Sequence, residues 1–228
     1  KQRIMDKIDL MDSTFITTSP SVLKFLPNKE RSFFIPNPSD YSFETLNNFK
    51  KSCSVDVFFA LSHGVHRGIL KSGKTDDRVI FLKNLQKKTE DVKFDIYGVD
   101  KIQPIWADHY FKTISNAKMG LNLSRGEAIK YYSSDRITQI VGNGLVCLID
   151  EKTKYRDFFN DDEMVFYKNE NDLSEKILKI SRDERLRKSI AKKGKSKYMK
   201  HFNSTKVSDF IIEKSLGIVS RKKYFWNN

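Results

Sequence analysis

The segment from residue 63 to residue 74 combines glycines with basic side chains, as anion-binding loops do. Glycines let the backbone approach a ligand closely, and Arg and Lys side chains neutralise the charge of a diphosphate. We interpret this segment as a phosphate grip for a nucleotide ligand, with a solvated basic loop as the alternative. The residues that we expect to bind are Gly64, Arg67 and Lys71.

A P-loop is a third interpretation of the same segment. The letters from Gly68 to Thr75, GILKSGKT, match the pattern GxxxxGK[ST]. A P-loop follows a strand directly and opens a helix, whereas the apolar run before this segment already ends at Leu61. Its position therefore favours a phosphate grip over a nucleoside triphosphatase.

A second polar segment, Ser124–Arg136, places two arginines beside the predicted start of a helix. The free N–H groups and positive dipole end of a helix that begins near Ser134 favour an anion. Simple capping by a serine or aspartate is the alternative. Capping does not explain Arg125 and Arg136, because cations are unfavourable at this helix end unless an anion is present. We expect ligand contacts from Arg125, Gly126, Ser134, Asp135 and Arg136.

A third loop, Gly98–Trp106, follows a short predicted strand. Ligands of open α/β sheets bind outside the carboxyl ends of the strands, where all three loops lie. We expect this loop to meet the base of a nucleotide through Tyr97, Gly98, Pro104 and Trp106. His63 and His66 in the first loop are candidates for catalysis, although a polar loop histidine is more often incidental. No cysteine or histidine cluster has metal-ligand spacing, so we predict no metal.

Strands and helices alternate along the sequence and must hold these loops. VDVFFAL, from residue 55, is a continuous apolar run, typical of a strand buried on both faces of a parallel sheet. Gly142-Asn-Gly144 lets a helix end tightly before the apolar run LVCLI. Further strands are predicted at 94–97, 119–123, 145–150 and 164–167, and helices at 78–88, 107–117 and 135–141. The alternation predicts an α/β fold, a Rossmann-like parallel sheet flanked by helices.

Both ends of the chain carry their own signals. Near the start we predict strands at 13–19 and 32–35, with a helix between them over SPSVLKFL, and Pro36-Asn-Pro38 marks a boundary. Near the end, Asp172 and Glu175 have the spacing of a capping box with Asp172 as the cap. A second helix is expected to stop near Gly194, and the basic residues from 182 to 200 to form one face of the helix pair.

The net charge of +13 is compatible with nucleic acid, an anionic membrane face or a phosphorylated ligand. The lysines are spread over almost every segment rather than interleaved with aromatics on one stripe, so we predict no nucleic-acid partner. The two cysteines lie beside strand-like runs and are interpreted as buried thiols in a reducing compartment. No apolar run is long enough to span a bilayer, and the start lacks a signal-peptide pattern. The first residue is Lys, as in a truncated or processed chain.

The order of these segments resembles the C-terminal, donor-binding half of GT-B glycosyltransferases. ITTSPSVLKFL…FFIPNPSD resembles the last strands of their N-terminal domain, and FDIYG, AKMGLNL and DRITQIVGNGLVCLID resemble the nucleotide-sugar site. The likeness is to spore-coat-type or group 1-like enzymes with a pattern near R-x-x-E-x-x-x-x-G, matched here by Arg136, Gln139 and Gly144. YYSSDRI also resembles an element of α1,3-fucosyltransferases, which suggests a GDP-linked donor.

The resemblance implies three regions: 1–50 as the end of an acceptor-side domain and linker, 51–217 as the nucleotide-sugar-binding domain, and 218–228 as a tail. It also implies metal-free stabilisation of the leaving diphosphate, with Arg136 near the phosphates. Gln139 stands where the family usually has a Glu that accepts hydrogen bonds from the ribose. The expected activity is transfer of a sugar from a UDP-linked or GDP-linked donor to a glycan, lipid-linked or protein acceptor.

Two other functions stay open at this point. The chain could be a non-catalytic module that binds a nucleotide sugar or another anionic ligand, or a basic adaptor for a membrane surface or nucleic acid. We expect a cytoplasmic protein of cell envelope glycan biosynthesis, with peripheral contact to the inner face of the membrane. Separate cofactors are not expected, because the nucleotide sugar is itself the donor substrate.

Overall fold

The computed structural model describes residues 2–62, 76–219 and 221–227, with side chains from residue 6 onward. The strands of these described ranges are β1 (Thr14–Ile16), β2 (Ser32–Phe34), β3 (Val55–Ala60), β4 (Phe94–Tyr97), β5 (Ala117–Asn122), β6 (Val146–Asp150) and β7 (Val165–Tyr167). The α-helices of the same ranges are α1 (Gln2–Asp9), α2 (Asp77–Lys88), α3 (Ala107–Ile114), α4 (Arg136–Gly142), α5 (Glu170–Arg182), α6 (Glu184–His201) and α7 (Ser204–Ser215).

Five strands form one fully parallel sheet in the order β4-β3-β5-β6-β7. Strands β3, β5 and β6 are buried on both faces, which is why their sequences are mostly apolar and do not alternate with polar residues. Phe58 and Cys147 pack with α3, α4 and the second half of α6, whereas Val57 and Leu148 pack with α2 and α5. Helices therefore cover both faces, and the predicted fold class is confirmed.

The strand order places a topological switch point between β3 and β5. From β3 the chain crosses to β4 at one edge, and it then returns to the other side of β3 to form β5, β6 and β7. The crossovers on the two sides diverge here and leave a crevice outside the carboxyl ends of the strands. Ala60 and Asn122, the last residues of β3 and β5, mark the position of this crevice.

The segment before the sheet is fastened to the rest of the fold. Strands β1 and β2 pair in parallel, and Phe15 and Phe33 pack against Phe210 of α7. The segment from 37 to 51, named the linker here, is held by buried basic side chains of α6. Arg187 donates hydrogen bonds to the carbonyls of Asn48 and Lys51, and Lys195 donates to the carbonyls of residues 44 and 46. The boundaries predicted at residues 50 and 217 stay predictions.

Three local predictions were wrong. SPSVLKFL forms only a single turn of 3₁₀ helix, Pro20–Val22, because Leu26 alone of its large apolar residues is buried. The cap of α5 is Asn169, whose side chain accepts from the N–H of Asp172, so Asp172 lies inside the helix. Helix α6 continues through Gly194 to His201. A Cβ at position 194 would lie 2.3 Å from the carbonyl oxygen of Glu163, so glycine serves close packing there rather than a helix end.

Within the described ranges, no helix has the length and hydrophobicity needed to cross a membrane. The basic residues from 182 to 200 were expected to form one face of the helix pair, but they do not all lie on one face. Arg187 and Lys195 are buried, and both turn toward the linker. Their burial is possible because carbonyl oxygens of the linker accept their hydrogen bonds.

Candidate functional site

A cavity of about 250 Å³ opens at the switch point of the sheet. Its walls combine the end of β3, the loop before α3, one face of α3 and the start of α4. The lining residues are Ala60, Leu61, Ser62, Ile105, Trp106, Ala107, Tyr110, Phe111, Asp135, Arg136 and Gln139. This is the edge of a parallel α/β sheet at which ligands bind, and a lining of apolar and a few polar side chains is typical of a ligand site.

Arg136 is the first residue of α4 and the cation of this cavity. Its Nη2 donates to the carbonyl oxygen of Leu123 at 2.7 Å, and its guanidinium lies over the Phe59 ring, 5.1 Å from the ring centre. Its Nε is buried and has no acceptor among the described residues. Burial, followed by repulsion from the nearby Arg78, lowers the pKa of Arg136. An anion in the crevice would relieve both costs.

Arg78 and Asp76 form a second charged group behind the cavity. Asp76 caps α2 by accepting from the N–H of Arg78, and the Arg78 side chain donates to both carboxylate oxygens, at 3.0 and 2.7 Å. Both residues are buried. Neither residue was predicted as a neighbour of the site, although an aspartate just before a predicted helix is a typical cap.

Asn122 is a buried amide at the end of β5 and is only 3% exposed. Its Oδ1 accepts a hydrogen bond of 2.7 Å from the hydroxyl of Ser134, just before α4. Its Nδ2 is buried and has no partner in the described part of the chain. Ser134 therefore does not cap the helix with its side chain, as the capping alternative would require, but orients Asn122.

Tyr110 and Gln139 join the two helices across the cavity. The Tyr110 hydroxyl donates to Gln139 Oε1 at 2.5 Å. Burial raises the pKa of Tyr110 well above its ordinary value, so the hydroxyl keeps its proton throughout the physiological range. Asp135, one helical turn before Gln139, lines the same cavity and makes no side-chain capping bond.

The loop before α3 presents aromatic surface to solvent. Trp106 is 61% exposed and Phe111 is 38% exposed, both in the cavity wall. Asp100, Lys101 and Ala107 adopt φ values of 50°, 70° and 46°. Such left-handed conformations cost L-residues roughly 1–3 kcal/mol each and concentrate at ligand-binding sites. The exposed rings of Trp106, at the end of this constrained loop, and of Phe111, in α3, are suited to stack on a planar ligand.

A larger cleft of about 670 Å³ lies elsewhere, between the linker, the start of α7 and the C-terminal segment. Both of its carboxylates already have partners within the cleft. Ser204 donates to Asp40, and Lys222 forms a salt bridge with Asp209. None of its lining residues comes from the carboxyl end of a strand of the five-stranded sheet, so we assign the functional site to the smaller cavity.

The family model described as glycosyl transferase-like matches residues 78–213, more than half of the chain. The chain belongs to the glycosyl transferase-like family. No curated protein matches the sequence. The matched range begins at α2 and includes every lining residue of the cavity from Ile105 onward, so the family signature covers most of the site.

Solved glycosyltransferases share the fold of this glycosyl transferase-like chain. A structure of TarM has 15% identity and a TM-score of 0.66, and the similarity covers 94% of this chain and 45% of TarM. Sucrose-phosphate synthase from Thermosynechococcus elongatus has 11% identity and a TM-score of 0.60 over 96% of this chain and 62% of the synthase. HepE from Anabaena, in complex with UDP, has 12% identity and a TM-score of 0.60, and the similarity covers 90% of this chain and 64% of HepE.

These similarities show the fold, which is the Rossmann-like domain of GT-B glycosyltransferases, as the resemblance implied. The chain spans about half the length of TarM and less than two thirds of the other two proteins. The match to the family model confirms the predicted glycosyltransferase family, and the solved structures confirm the predicted fold.

The cavity gathers some of the predicted residues of this glycosyl transferase-like domain and leaves others out. Trp106, Asp135, Arg136 and Gln139 line it, and Ser134 supports it through Asn122. Tyr97 packs on His109 and Phe58, and Gly98 and Pro104 lie in the loop behind the wall. Arg125 and Gly126 are exposed on a separate loop and do not line the cavity. His63, Gly64, His66, Arg67 and Lys71 lie outside the described residues.

The polar and aromatic site residues that the sequence did not reveal include Tyr110, Phe111 and Asn122. Asn122 and Tyr110 sit inside a predicted strand and a predicted helix, where polar or aromatic side chains are unremarkable. The described residues contain no group of three His, Cys, Asp or Glu side chains able to hold a metal ion. Metal independence stays a prediction.

Proposed function

We propose that this chain is the donor-binding part of a glycosyltransferase and holds a nucleotide-diphosphate sugar at the switch point. Transfer would move the sugar to an acceptor and release the nucleoside diphosphate. The runner-up is a non-catalytic module that binds a nucleotide sugar or another anionic ligand at the same cavity. Family membership and a fold shared with glycosyltransferases support the enzyme.

This proposal is carried by two buried N–H donors without partners, one at the start of α4 on the cavity wall and one at the carboxyl end of the neighbouring strand β5. Arg136 Nε and Asn122 Nδ2 both lack acceptors in the described chain, and each unmet donor costs roughly 1–3 kcal/mol. A diphosphate has many acceptor oxygens and two negative charges, so it would satisfy both groups. Arg136 at the start of α4, with the helix N–H groups, would also stabilise charge on the leaving diphosphate.

Other parts of the cavity suit the rest of a nucleotide. Trp106 and Phe111 offer exposed rings for a base, and Asp135 and Gln139 offer polar atoms for a ribose. Structures of HepE and of a TarM variant from S. aureus are complexes with UDP, which supports UDP as the first nucleotide to test. GDP stays an alternative because the cavity shows no base-specific contact.

The remaining roles are proposals that extend beyond the described residues. Arg67 and Lys71 would complete the phosphate grip, with Arg125 as a peripheral contact, and no metal would be needed. His63 and His66 stay candidates for catalysis. The acceptor would be a glycan, a lipid-linked molecule or a protein. We propose that it binds outside this domain, because the similarity to TarM covers only 45% of TarM. We propose a cytoplasmic location at the inner membrane face, with no nucleic-acid partner.

Calorimetric titration with UDP, GDP and their sugar conjugates, in the presence of EDTA, tests the proposal. We expect one nucleotide to bind with a Kd of about 1–100 µM, and Arg136→Ala to weaken binding at least about tenfold. Arg136→Lys keeps the positive charge but loses the paired N–H donors of the guanidinium, so it should weaken binding less than Arg136→Ala. This second variant also serves as the test if Arg136→Ala does not fold. Arg185→Ala, an exposed arginine of α6, is the matched control and should change nothing.

Three outcomes separate the candidates. Binding of one nucleotide together with sugar transfer by the protein with all its domains supports the glycosyltransferase. Binding without transfer or donor hydrolysis supports the non-catalytic module. Absence of nucleotide binding, with strong salt-sensitive binding to DNA or anionic vesicles, overturns both in favour of a basic adaptor.

A further inference from the structure

We propose that Asp135 accepts the hydrogen bonds of the donor's ribose hydroxyls, while Tyr110 holds Gln139 as a hydrogen-bond donor to the same sugar. The inference rests on the proposed function and names how that site reads its ligand. In the enzymes that this chain resembles, residue 139 is usually a carboxylate that accepts hydrogen bonds. Here residue 139 would donate hydrogen bonds instead, and the accepting carboxylate would lie one helical turn earlier.

The contact between Tyr110 and Gln139 fixes the polarity of the amide. Gln139 Oε1 accepts the Tyr110 hydroxyl at 2.5 Å, so this oxygen is engaged away from a ligand. Gln139 Nε2 has no partner among the described residues and belongs to a side chain that lines the cavity. The amide therefore offers the ligand two N–H bonds.

The opposite orientation of the amide would leave the partly buried tyrosine hydroxyl without a protein acceptor. Gln139 is the only hydrogen-bond partner of the Tyr110 hydroxyl in the described chain. If Nε2 faced Tyr110, the tyrosine O–H would have no acceptor among the described residues, which is the less favourable arrangement. The raised pKa of Tyr110 excludes a phenolate that could accept instead.

Asp135 supplies the acceptor that Gln139 then lacks. Positions 135 and 139 lie one turn apart on the same helix face, and both line the cavity. Asp135 is the residue before α4, yet its carboxylate makes no capping hydrogen bond and so remains available. A carboxylate only accepts, and an amide N–H only donates. Together they match a vicinal diol, whose hydroxyls do both.

The test compares ribonucleotides with deoxynucleotides. Calorimetry measures the Kd of UDP, 2′-deoxy-UDP and 3′-deoxy-UDP, or the GDP series if the protein prefers GDP. The natural protein should bind the ribonucleotide about tenfold or more tightly than at least one deoxy form, as expected for hydrogen bonds to a charged group. Asp135→Asn should reduce this ratio at least about threefold. Glu175→Gln, the same charge change on the exposed face of α5, should leave the ratio unchanged.

Tyr110 is tested as a positioning residue by a double-mutant cycle. Tyr110→Phe removes only the hydroxyl, and Gln139→Ala removes the amide. Each should weaken ribonucleotide binding about three- to tenfold, and the double variant should lose no more than the stronger single one, because both act through one amide. Additive losses would refute the positioning role, since a general structural effect of Tyr110 would not depend on Gln139.

Failure of this inference differs from failure of the proposed function. If the natural protein binds a nucleotide but Asp135→Asn keeps the ratio between ribose and deoxyribose, the assignment of Asp135 is wrong and the donor site stands. If adding Gln139→Glu to Asp135→Asn restores the natural ratio, a carboxylate on this helix face is what accepts from the ribose, which supports the assignment. If the natural protein binds neither UDP nor GDP, the proposed function and this inference fall together.

Discussion

Gly98 and Leu61 approach each other so closely that a side chain at position 98 has no room. A Cβ on Gly98 would lie 1.8 Å from the carbonyl oxygen of Leu61, and Gly98 also has a φ of +73°. The contact joins the ends of β4 and β3, and Leu61 is part of the cavity wall. The packing of these two strand ends therefore helps to shape the candidate donor site.

Gly98→Ala should accordingly destabilise the fold and disturb the cavity. We expect a loss of about 2–4 kcal/mol in the free energy of unfolding, measured by urea denaturation, because backbone must move. Gly126→Ala is the matched control. Gly126 has a similar φ of +71° but open space around it, so only about 1 kcal/mol should be lost. Equal losses would show that the close approach carries no cost.

The two tryptophans should have opposite phenotypes. Trp106 is exposed in the cavity wall, so Trp106→Ala should weaken nucleotide binding roughly 5- to 100-fold with little change in stability, if a base stacks there. Trp226 is buried against Phe202 and Phe210, so Trp226→Ala should lower stability by about 3–5 kcal/mol. Calorimetry and thermal unfolding measure the two effects. Unchanged nucleotide affinity in Trp106→Ala would exclude this loop as the base contact.

Arg187 should be essential for stability although it is a charged residue. It is fully buried, and its guanidinium donates to the carbonyls of Asn48 and Lys51 at 2.8 and 2.9 Å. Arg187→Met leaves both carbonyls without these donors, and we expect a loss of about 2–4 kcal/mol in urea denaturation. Arg185→Ala, on the exposed side of the same helix, should change stability by no more than about 0.5 kcal/mol. A small effect of Arg187→Met would mean that water replaces the guanidinium.

The sheet was predictable from the sequence because its signal is local. VDVFFAL and LVCLI are apolar without alternation, which is typical of strands covered on both faces, and the structure has β3 and β6 at these places. Gly142-Asn-Gly144 likewise predicted the end of α4, and Gly144 has the left-handed φ that such a turn needs.

The details that failed depend on contacts between distant segments. Gly194 was interpreted as a helix end, but its lack of a side chain makes room for the backbone carbonyl of Glu163, which lies 31 residues earlier in the sequence. Asn122 and Tyr110 become site residues only when β5, α3 and α4 meet at the switch point. Of the predicted anion-binding residues, Arg136 lies at the cavity because helix start and strand end coincide there, whereas Arg125 projects from a loop whose course no local pattern specifies.

The linker should make stability sensitive to acid through Asp40. The Ser204 hydroxyl and then the backbone and hydroxyl of Ser42 donate to this carboxylate and lower its pKa from 3.8 to about 2. The unfolded chain takes up the proton near pH 3.8, so the stabilisation is complete above that pH and is lost as the pH falls toward 2. Burial raises the pKa of Glu44, so that residue works in the opposite direction and loses its contribution as the pH rises.

Asp40→Asn isolates this contribution. Urea midpoints measured between pH 5 and pH 2 should fall less steeply in the variant than in the natural protein, with the difference confined to the window between about 3.8 and 2. Above that window the variant should be less stable by a constant amount, because the amide accepts more weakly from Ser204 than the carboxylate does. Parallel pH profiles for the two proteins would show that Asp40 keeps its ordinary pKa and that its hydrogen bonds do not hold the linker to α7.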